Sequence, residues 1–459
     1  WYERAAEQGI ADAQAKMGDF YADGRGVPQN AFAAFKWTKL AAEQGDTTAQ
    51  YYLGMNYIRG EGTAVNTPTG LRWIEKAAEQ DQIDALNQLG FRYEYGIDYP
   101  KDPAQALKWY KRAAELGSVS AQFDLALLYE KGLGTEKNHQ LAAKWYQEAG
   151  KQGEPAAQSY FGQLYKKGEV LPNGLGVEQD YGLAIKWLSH AAAKNAPSAQ
   201  YHLGELYDKG WGVEQNYQIA ARWYRLAADQ GYAMAQNNLG LLYEFGRGVP
   251  QDYDQAVIWY GKAVKQSLVE ARYNVAWLYL DGKGTPKSEE NAVAFFKMAA
   301  REGMGERGPV PGHPKAQFFV ARAYQEGSGG LKKSNEVALS WFKEAAGQNH
   351  AGAKYYLGLY YLGGHGVDLD KEKAIQLFKQ SAAQGYRYAL NHLGLLSYLG
   401  NDLPKDYART YMWYAISAAQ GGDPEKKQLD QLIKEMNLTQ LAMGKKLERA
   451  CIAQGFEGC

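Results

Sequence analysis

With 459 residues the chain has room for three ordinary domains, yet no Ser/Pro/Gly linker, charge block or low-complexity run divides it. Hydrophobic residues make up 46%, enough for a continuous core, which excludes a disordered chain. Lys+Arg and Asp+Glu are both 51, so the basic excess that nucleic acid or an anionic membrane surface demands is missing. No apolar run approaches the ~20 residues needed to span a bilayer.

The chain begins at Trp1, without a Met and inside a repeat. Residues 1–12 read as the second helix of a truncated unit, so N-terminal sequence is expected to have been removed or left out, and the absence of a leader says nothing. From residue 13 to 421 the phrase Ala-x-x-x-Leu-Gly-x-x-Tyr-x-x-Gly recurs in eleven tandem units. Its first Ala is Ala13, Ala49, Ala85, Ala121, Ala157, Ala199, Ala235, Ala271, Ala316, Ala353 or Ala389, and most steps are 36 residues. Ala, Leu and Tyr at relative positions 0, 4 and 8 share one face of a helix with about 3.6 residues per turn. The Gly at position 5, replaced only by Ala (Ala126, Ala276, Ala321), costs about 1 kcal/mol inside a helix, so its recurrence predicts close approach by a neighbouring helix. The Gly at position 11, from Gly24 to Gly400, predicts a left-handed cap in every unit.

A helix-capping side chain follows each turn: Asn30, Asn66, Asp102, Asn138, Asp180, Asn216, Asp252, Ser288, Ser334, Asp370 and Asp406. The second helix carries a Trp-Tyr stripe and then Ala-Ala. It ends at a Gly in seven units and at Asp81, Asn195, Ser267 or Asn349 in the other four, where Asn and Asp tolerate left-handed backbone. Two long steps contain the extra segments Glu169–Gly174 and Met304–Gly312, candidates for contact with a partner. Residues 422–459 read as amphipathic helices that cap the array, with a tail carrying the only cysteines, Cys451 and Cys459. One helix pair cannot bury both its apolar faces. The expectation is an all-α fold, a right-handed superhelical α/α solenoid.

The stretch Ala199–Gly231, AQYHLGELYDKGWGVEQNYQIAARWYRLAADQG, closely resembles the unit of the Sel1-like repeat family, a relative of the tetratricopeptide repeats. The resemblance runs from Trp1 to about Gly421, and the Gly-x-Gly-Val turn separates it from the tetratricopeptide unit of about 34 residues. It implies a tetratricopeptide-like solenoid, in a bacterial protein. Members resembling this one serve as adaptors in membrane-associated degradation, as secreted or periplasmic interaction proteins and as host-factor binders. Cysteine-rich bacterial members carry a Cys pair in each repeat; here no repeat has one.

Chemistry is hard to find. None of the seven histidines stands in a His-x-x-x-His or His-Glu-x-x-His pair. Ser340 and Lys343 spell Ser-x-x-Lys, and some cysteine-rich relatives have been linked to penicillin binding, so a cell-wall-directed or penicillin-interacting hydrolase is the alternative. The accompanying Ser-Asp-Asn and Lys-Thr-Gly motifs are absent. Asp368–Glu372 lacks the Gly and the final acid of a calcium loop. The sequence therefore assigns no catalytic, cofactor or metal residue, and an enzyme is not expected.

What remains is surface. Positions 2, 3, 6 and 10 of each first helix point off the core stripe, on the side expected to be concave. Tyr201, His202, Tyr273, Trp277, Phe318, Phe319, Tyr355 and Tyr356 occupy such positions and are the predicted partner-binding line. Trp277 stands where other units hold Asp19, Gln163 and Glu205. The competing expectation is that these rings pack laterally on the next repeat. The reading is a monomeric scaffold for a protein or peptide partner, without nucleic acid or a membrane span. Cys451 and Cys459 are expected to form an intramolecular disulfide, as in a periplasmic or secreted protein, with two free thiols in the cytoplasm as the alternative.

Overall fold

The computed structural model describes residues 1–169, 171, 173–305, 308–421 and 423–456, and among them 25 helices and one short hairpin. The chain divides into two compact units, Trp1–Asn216 and Tyr217–Cys459. The first runs from the helix Tyr2–Glu7 to the helix Pro197–Lys209, the second from Tyr217–Asp229 to Leu438–Ala453. Within each unit first helices pack on the second helix of their own repeat, and second helices pack on the first helix of the next. Both units are α/α solenoids.

The repeat signature now has physical causes. A Cβ placed on Gly90 would stand 2.6 Å from the Tyr110 ring, and one on Gly240 would stand 2.7 Å from Tyr260. The mid-helix glycine seats the residue that follows the Trp of the paired helix, a ring here and Thr38, Ile74 or Leu188 opposite Gly18, Gly54 and Gly162. Those rings are fully buried, and their hydroxyls leave the core through a carboxylate sixteen residues earlier: Tyr110 donates to Glu94, Tyr146 to Glu130 and Tyr260 to Glu244. The second Gly of the turn serves the stack between repeats. A Cβ on Gly62 would meet the Ala31 carbonyl at 2.0 Å, and one on Gly134 would meet that of Pro103 at 2.3 Å.

Ten of the eleven expected first-helix caps are left-handed. Gly168 is not: its φ of 57° combines with a ψ of 141° because the chain leaves the helix into the first inserted segment. That segment folds back on the preceding turn, with Glu169 bridged to Val177 and the Leu175 carbonyl accepting from the His139 and Gln140 amides. At the second-helix ends Asp81, Asn195, Ser267 and Asn349 all take positive φ, between 63° and 65°, as the sequence reading requires. Gly303 departs from that pattern. It opens a two-stranded antiparallel hairpin, Gly303–Gly305 with Gly308–Val310, in the second inserted segment.

Ten second-helix cap residues accept backbone N–H groups through their side chains, among them Asn30 from Ala33 and Asp406 from Ala408 and Arg409. One stabilising device was not read from the sequence. The residue after the repeat's first Ala is usually Gln, and it bonds along the array. Gln50 donates to the Ala42 carbonyl at 3.2 Å and accepts from Gln80 at 2.8 Å. Gln14 with Gln44, Gln122 with Gln152, Gln236 with Gln266 and Gln317 with Gln348 repeat the arrangement. Where the first Gln is Leu86 the second is Leu116, and where the first is Arg272 the second is Glu302. In other repeats only one member changes, as with Lys354 and Gln384 or Leu390 and Gln420.

Candidate interaction face

The first-helix face of the second unit is lined by rings in mutual contact. His313 stacks on Tyr273 with centroids 4.2 Å apart, and Trp277 meets Phe319 edge-on at 5.0 Å. Phe319 stacks on Phe296 at 4.8 Å, Phe318 on His350 at 4.8 Å, Tyr356 on Phe342 at 5.2 Å and His392 on Phe378 at 4.6 Å. Phe318 reaches Tyr356, and Tyr355 reaches Tyr386, Tyr388 and His392, so the contacts run from repeat to repeat. The sequence permits this because the second-helix ring here is Phe296, Phe342 or Phe378 rather than Tyr, and positions facing it hold Leu280 and Leu362 rather than a glutamate. No hydroxyl has to be led out of the core.

Of the eight predicted contact residues, Tyr273, Trp277, Phe318, Phe319, Tyr355 and Tyr356 belong to this ladder. All six are half-buried, so each packs laterally and still presents an edge. Tyr201 and His202 do not. They are 3% and 2% exposed in the first unit, which corrects the expectation that they stand free on the surface. His202 Nδ1 lies 2.8 Å from both Lys166 Nζ and Glu205 Oε2. Burial works to raise the Glu205 pKa, but the His202 hydrogen bond and the Lys166 charge prevail and hold it down at about 2. Nearby Gln163 donates to Ser159 and Ser198, completing a polar seam at positions that carry rings in the second unit.

Several residues of the face escaped the sequence reading. Tyr388 is its most exposed ring, at 43%. His313 and His350 cap the helices Pro314–Glu326 and Ala351–Gly363 by accepting the Ala316 and Ala353 amides at Nδ1. They stand three residues before the repeat Ala, where other repeats cap with Asp46, Ser118 or Glu154, and that register was the available signal. Burial, with Lys315 second, pushes the His313 pKa down to about 4 and lowers that of His350. The Arg322 guanidinium lies 4.6 Å over Tyr356 while pairing with Glu326.

The residues weighed for chemistry are plain surface. Ser340 and Lys343 are exposed, and the Ser340 hydroxyl donates to the Val337 carbonyl of its own helix. Among the described residues no group of His, Cys, Asp and Glu could hold a metal ion, and no helix is long and apolar enough to cross a membrane. Cys451 is buried against the last repeat, while Cys459 lies outside the described residues.

The Sel1 repeat model matches residues 1–10, 11–46, 47–82, 83–118, 119–154, 155–195, 197–232, 233–268, 269–304, 314–350, 351–386 and 387–422. The chain belongs to the Sel1 repeat family. The gap between residues 304 and 314 falls on the inserted hairpin, and the last match ends where the helix Asp423–Glu435 begins. Two solved Sel1-type structures are similar over most of their length. A protective antigen present in uropathogenic Escherichia coli strains, displaying an SLR fold, is 28% identical, covers 99% of this chain and 95% of its own, and superposes with a TM-score of 0.72. A Sel1 repeat protein from Oxalobacter formigenes is also 28% identical, covers 76% of this chain and 94% of its own, and gives a TM-score of 0.54. No curated protein matches the chain. Sel1 repeats commonly mediate protein interactions.

Proposed function

We propose that this Sel1 repeat chain is a monomeric, non-catalytic scaffold that binds a protein partner on the first-helix face of its second unit. One observation carries the reading: the first-helix rings Tyr273, Trp277, Phe318, Phe319, Tyr355, Tyr356 and His392 stay half-buried, stacked on the buried Phe296, Phe342 and Phe378. Half-exposed aromatic rings held rigid by their neighbours lose little entropy on binding and form the usual centres of protein contacts. The test is capture of partners from the source cell envelope and medium by immobilised chain, beside a Tyr388→Ala variant. Tyr388 is exposed, so its loss should leave the melting midpoint unchanged while capture falls by roughly ten-fold, about 1.4 kcal/mol. Capture that is unaffected by Tyr388→Ala, and equally by Tyr355→Ala, would remove the face from the function.

The location proposed is the bacterial envelope or the medium, and with it a bond between Cys451 and Cys459. Two facts support this: they are the only cysteines, and Cys451 is held 4% exposed beneath the last repeat, a short chain length away from Cys459. Such a bond persists only in an oxidising compartment. Intact-mass alkylation without reductant should label no thiol; two labelled thiols in freshly isolated protein would defeat both bond and location.

A further inference from the structure

We infer that the occupant of the ring-lined face is an extended, acidic polypeptide segment, an inference that rests on the proposed function and deepens it. The chain as a whole is neutral, with 51 cationic and 51 acidic residues, but this face is not. Its four helices Val269–Asp281, Pro314–Glu326, Ala351–Gly363 and Arg387–Leu399 carry Arg272, Lys315, Arg322, Lys354 and Arg387 against Glu270, Asp281 and Glu326. Glu326 is taken by Arg322, and Arg387 lies in the field of Glu425 while its guanidinium stacks 4.6 Å over Tyr388. Lys315 and Lys354 have no carboxylate partner among the described residues; Lys354 donates only to the Asn349 side-chain oxygen. Lys315 is exposed yet near enough to His313 and His350 to help depress both, so its charge sits beside the rings and not away from them.

Geometry selects a polypeptide over a sugar. A glycan would need open ring faces to lie on, and here one face each of Tyr273, Phe318 and Tyr356 is stacked against His313, His350 and Phe342, while Phe378 is buried under His392. What the partner meets is ring edges with a cation between them. Ring edges carry partial positive charge, so edges and ammonium groups together favour carboxylates. The four neighbouring first helices, from Val269–Asp281 to Arg387–Leu399, are about 10 Å apart. A partner crossing them covers about 30 Å, or roughly ten residues in an extended conformation at about 3.1 Å each.

The probe is a fluorescein-labelled decapeptide of alternating Glu and Pro, titrated with the full chain and followed by anisotropy. Decapeptides with Gln or Lys in place of Glu, and a glucose hexasaccharide as competitor, are run beside it. The expected result is saturable binding of the Glu peptide that weakens steeply with salt, at least ten-fold weaker binding of the Gln peptide, none of the Lys peptide and no competition by the sugar. Lys315→Gln with Lys354→Gln should lower the affinity about ten-fold. Lys315→Glu, at an exposed site that holds nothing in place, gives the same test without risk to the fold. Equal binding of the Glu and Gln peptides, displacement by the hexasaccharide, no binding of the Glu peptide, or unchanged affinity in the lysine variants would each overturn the inference. If partner capture still depends on Tyr388 while the lysine variants capture normally, the face stands and the acidic class falls.

Discussion

Between Pro155 and Lys209 the first-helix positions 2, 3 and 6 hold Ser159, Tyr160, Gln163, Tyr201, His202 and Glu205, of which Ser159 and Gln163, and His202 and Glu205 with Lys166, are joined by hydrogen bonds and charge. Between Val269 and Leu399 the same positions hold Tyr273, Trp277, Phe318, Phe319, Tyr355, Tyr356 and His392, joined by ring contacts, beside Asn274, Arg322, Leu359, Asn391 and Leu395. The backbone rules are the same in both stretches: the capped second helices, the turn glycines and the small residue facing the second-helix side chain. What differs is how the seam between successive first helices is filled. A polar seam satisfies itself and sinks out of reach, as at His202, 2% exposed. Rings in the same place pack without using up their edges, and a surface is left over.

The largest effects should come from breaking each seam. Glu205→Ala removes the carboxylate that pairs with Lys166 and His202 and should cost about 3 kcal/mol, because it strands a charge in a largely buried site. Trp277→Ala should cost about 2–3 kcal/mol, since the indole packs on Phe296 and Phe319. Urea unfolding of both variants checks the claim that these are packed seams; a neutral Trp277→Ala would make Trp277 a free contact residue instead.

A smaller effect belongs to the device both stretches share. Gln50 is fully buried, and Gln50→Ala should cost about 1–2 kcal/mol by leaving the Gln80 amide and the Ala42 carbonyl short of a partner. Replacing Gln50 and Gln80 together by Leu should recover part of that loss, because Leu86 and Leu116 already form such a pair one repeat later. Equal midpoints for the single Ala variant and the parent would remove the ladder from the account.

The fold was legible because the repeat repeats: period, caps and the four non-glycine left-handed residues all follow from one unit read eleven times. The face was legible only in part. A single unit shows which positions lie off its own core stripe but not what the next unit lays over them, and Tyr201 was misplaced for that reason. The histidines were searched for metal-ligand spacing and none was found; their use as helix caps at His313 and His350 needed a comparison with Asp46 and Ser118 at the same register. The exceptions at Gly168 and Gly303 come from insertions, where the period stops informing.

The smallest expected effect is in pH, and its sign differs between the two stretches' units. His313 is neutral in the folded chain, its pKa depressed to about 4 by burial first, then by Lys315 and His350. The unfolded chain takes up the proton first, so this contribution is intact above about 6.5 and is lost as pH falls towards about 4. Asp124, in the first unit, is raised to about 6 by burial first, then by Glu94. Its contribution is complete below about 3.8 and is lost as pH rises through about 6. Melting curves should show His313→Asn, which keeps a capping oxygen, losing less stability on acidification than the parent, and Asp124→Asn gaining stability at neutral pH. Each kcal/mol corresponds to about 2–4 °C.

Hydrogen exchange of the chain with and without its captured partner tests the central claim most directly. Protection is predicted in Pro314–Glu326, Ala351–Gly363 and Arg387–Leu399, with Pro155–Lys167 and Pro197–Lys209 unchanged. Protection over the polar seam, with the ring-lined helices exchanging as before, would contradict the account.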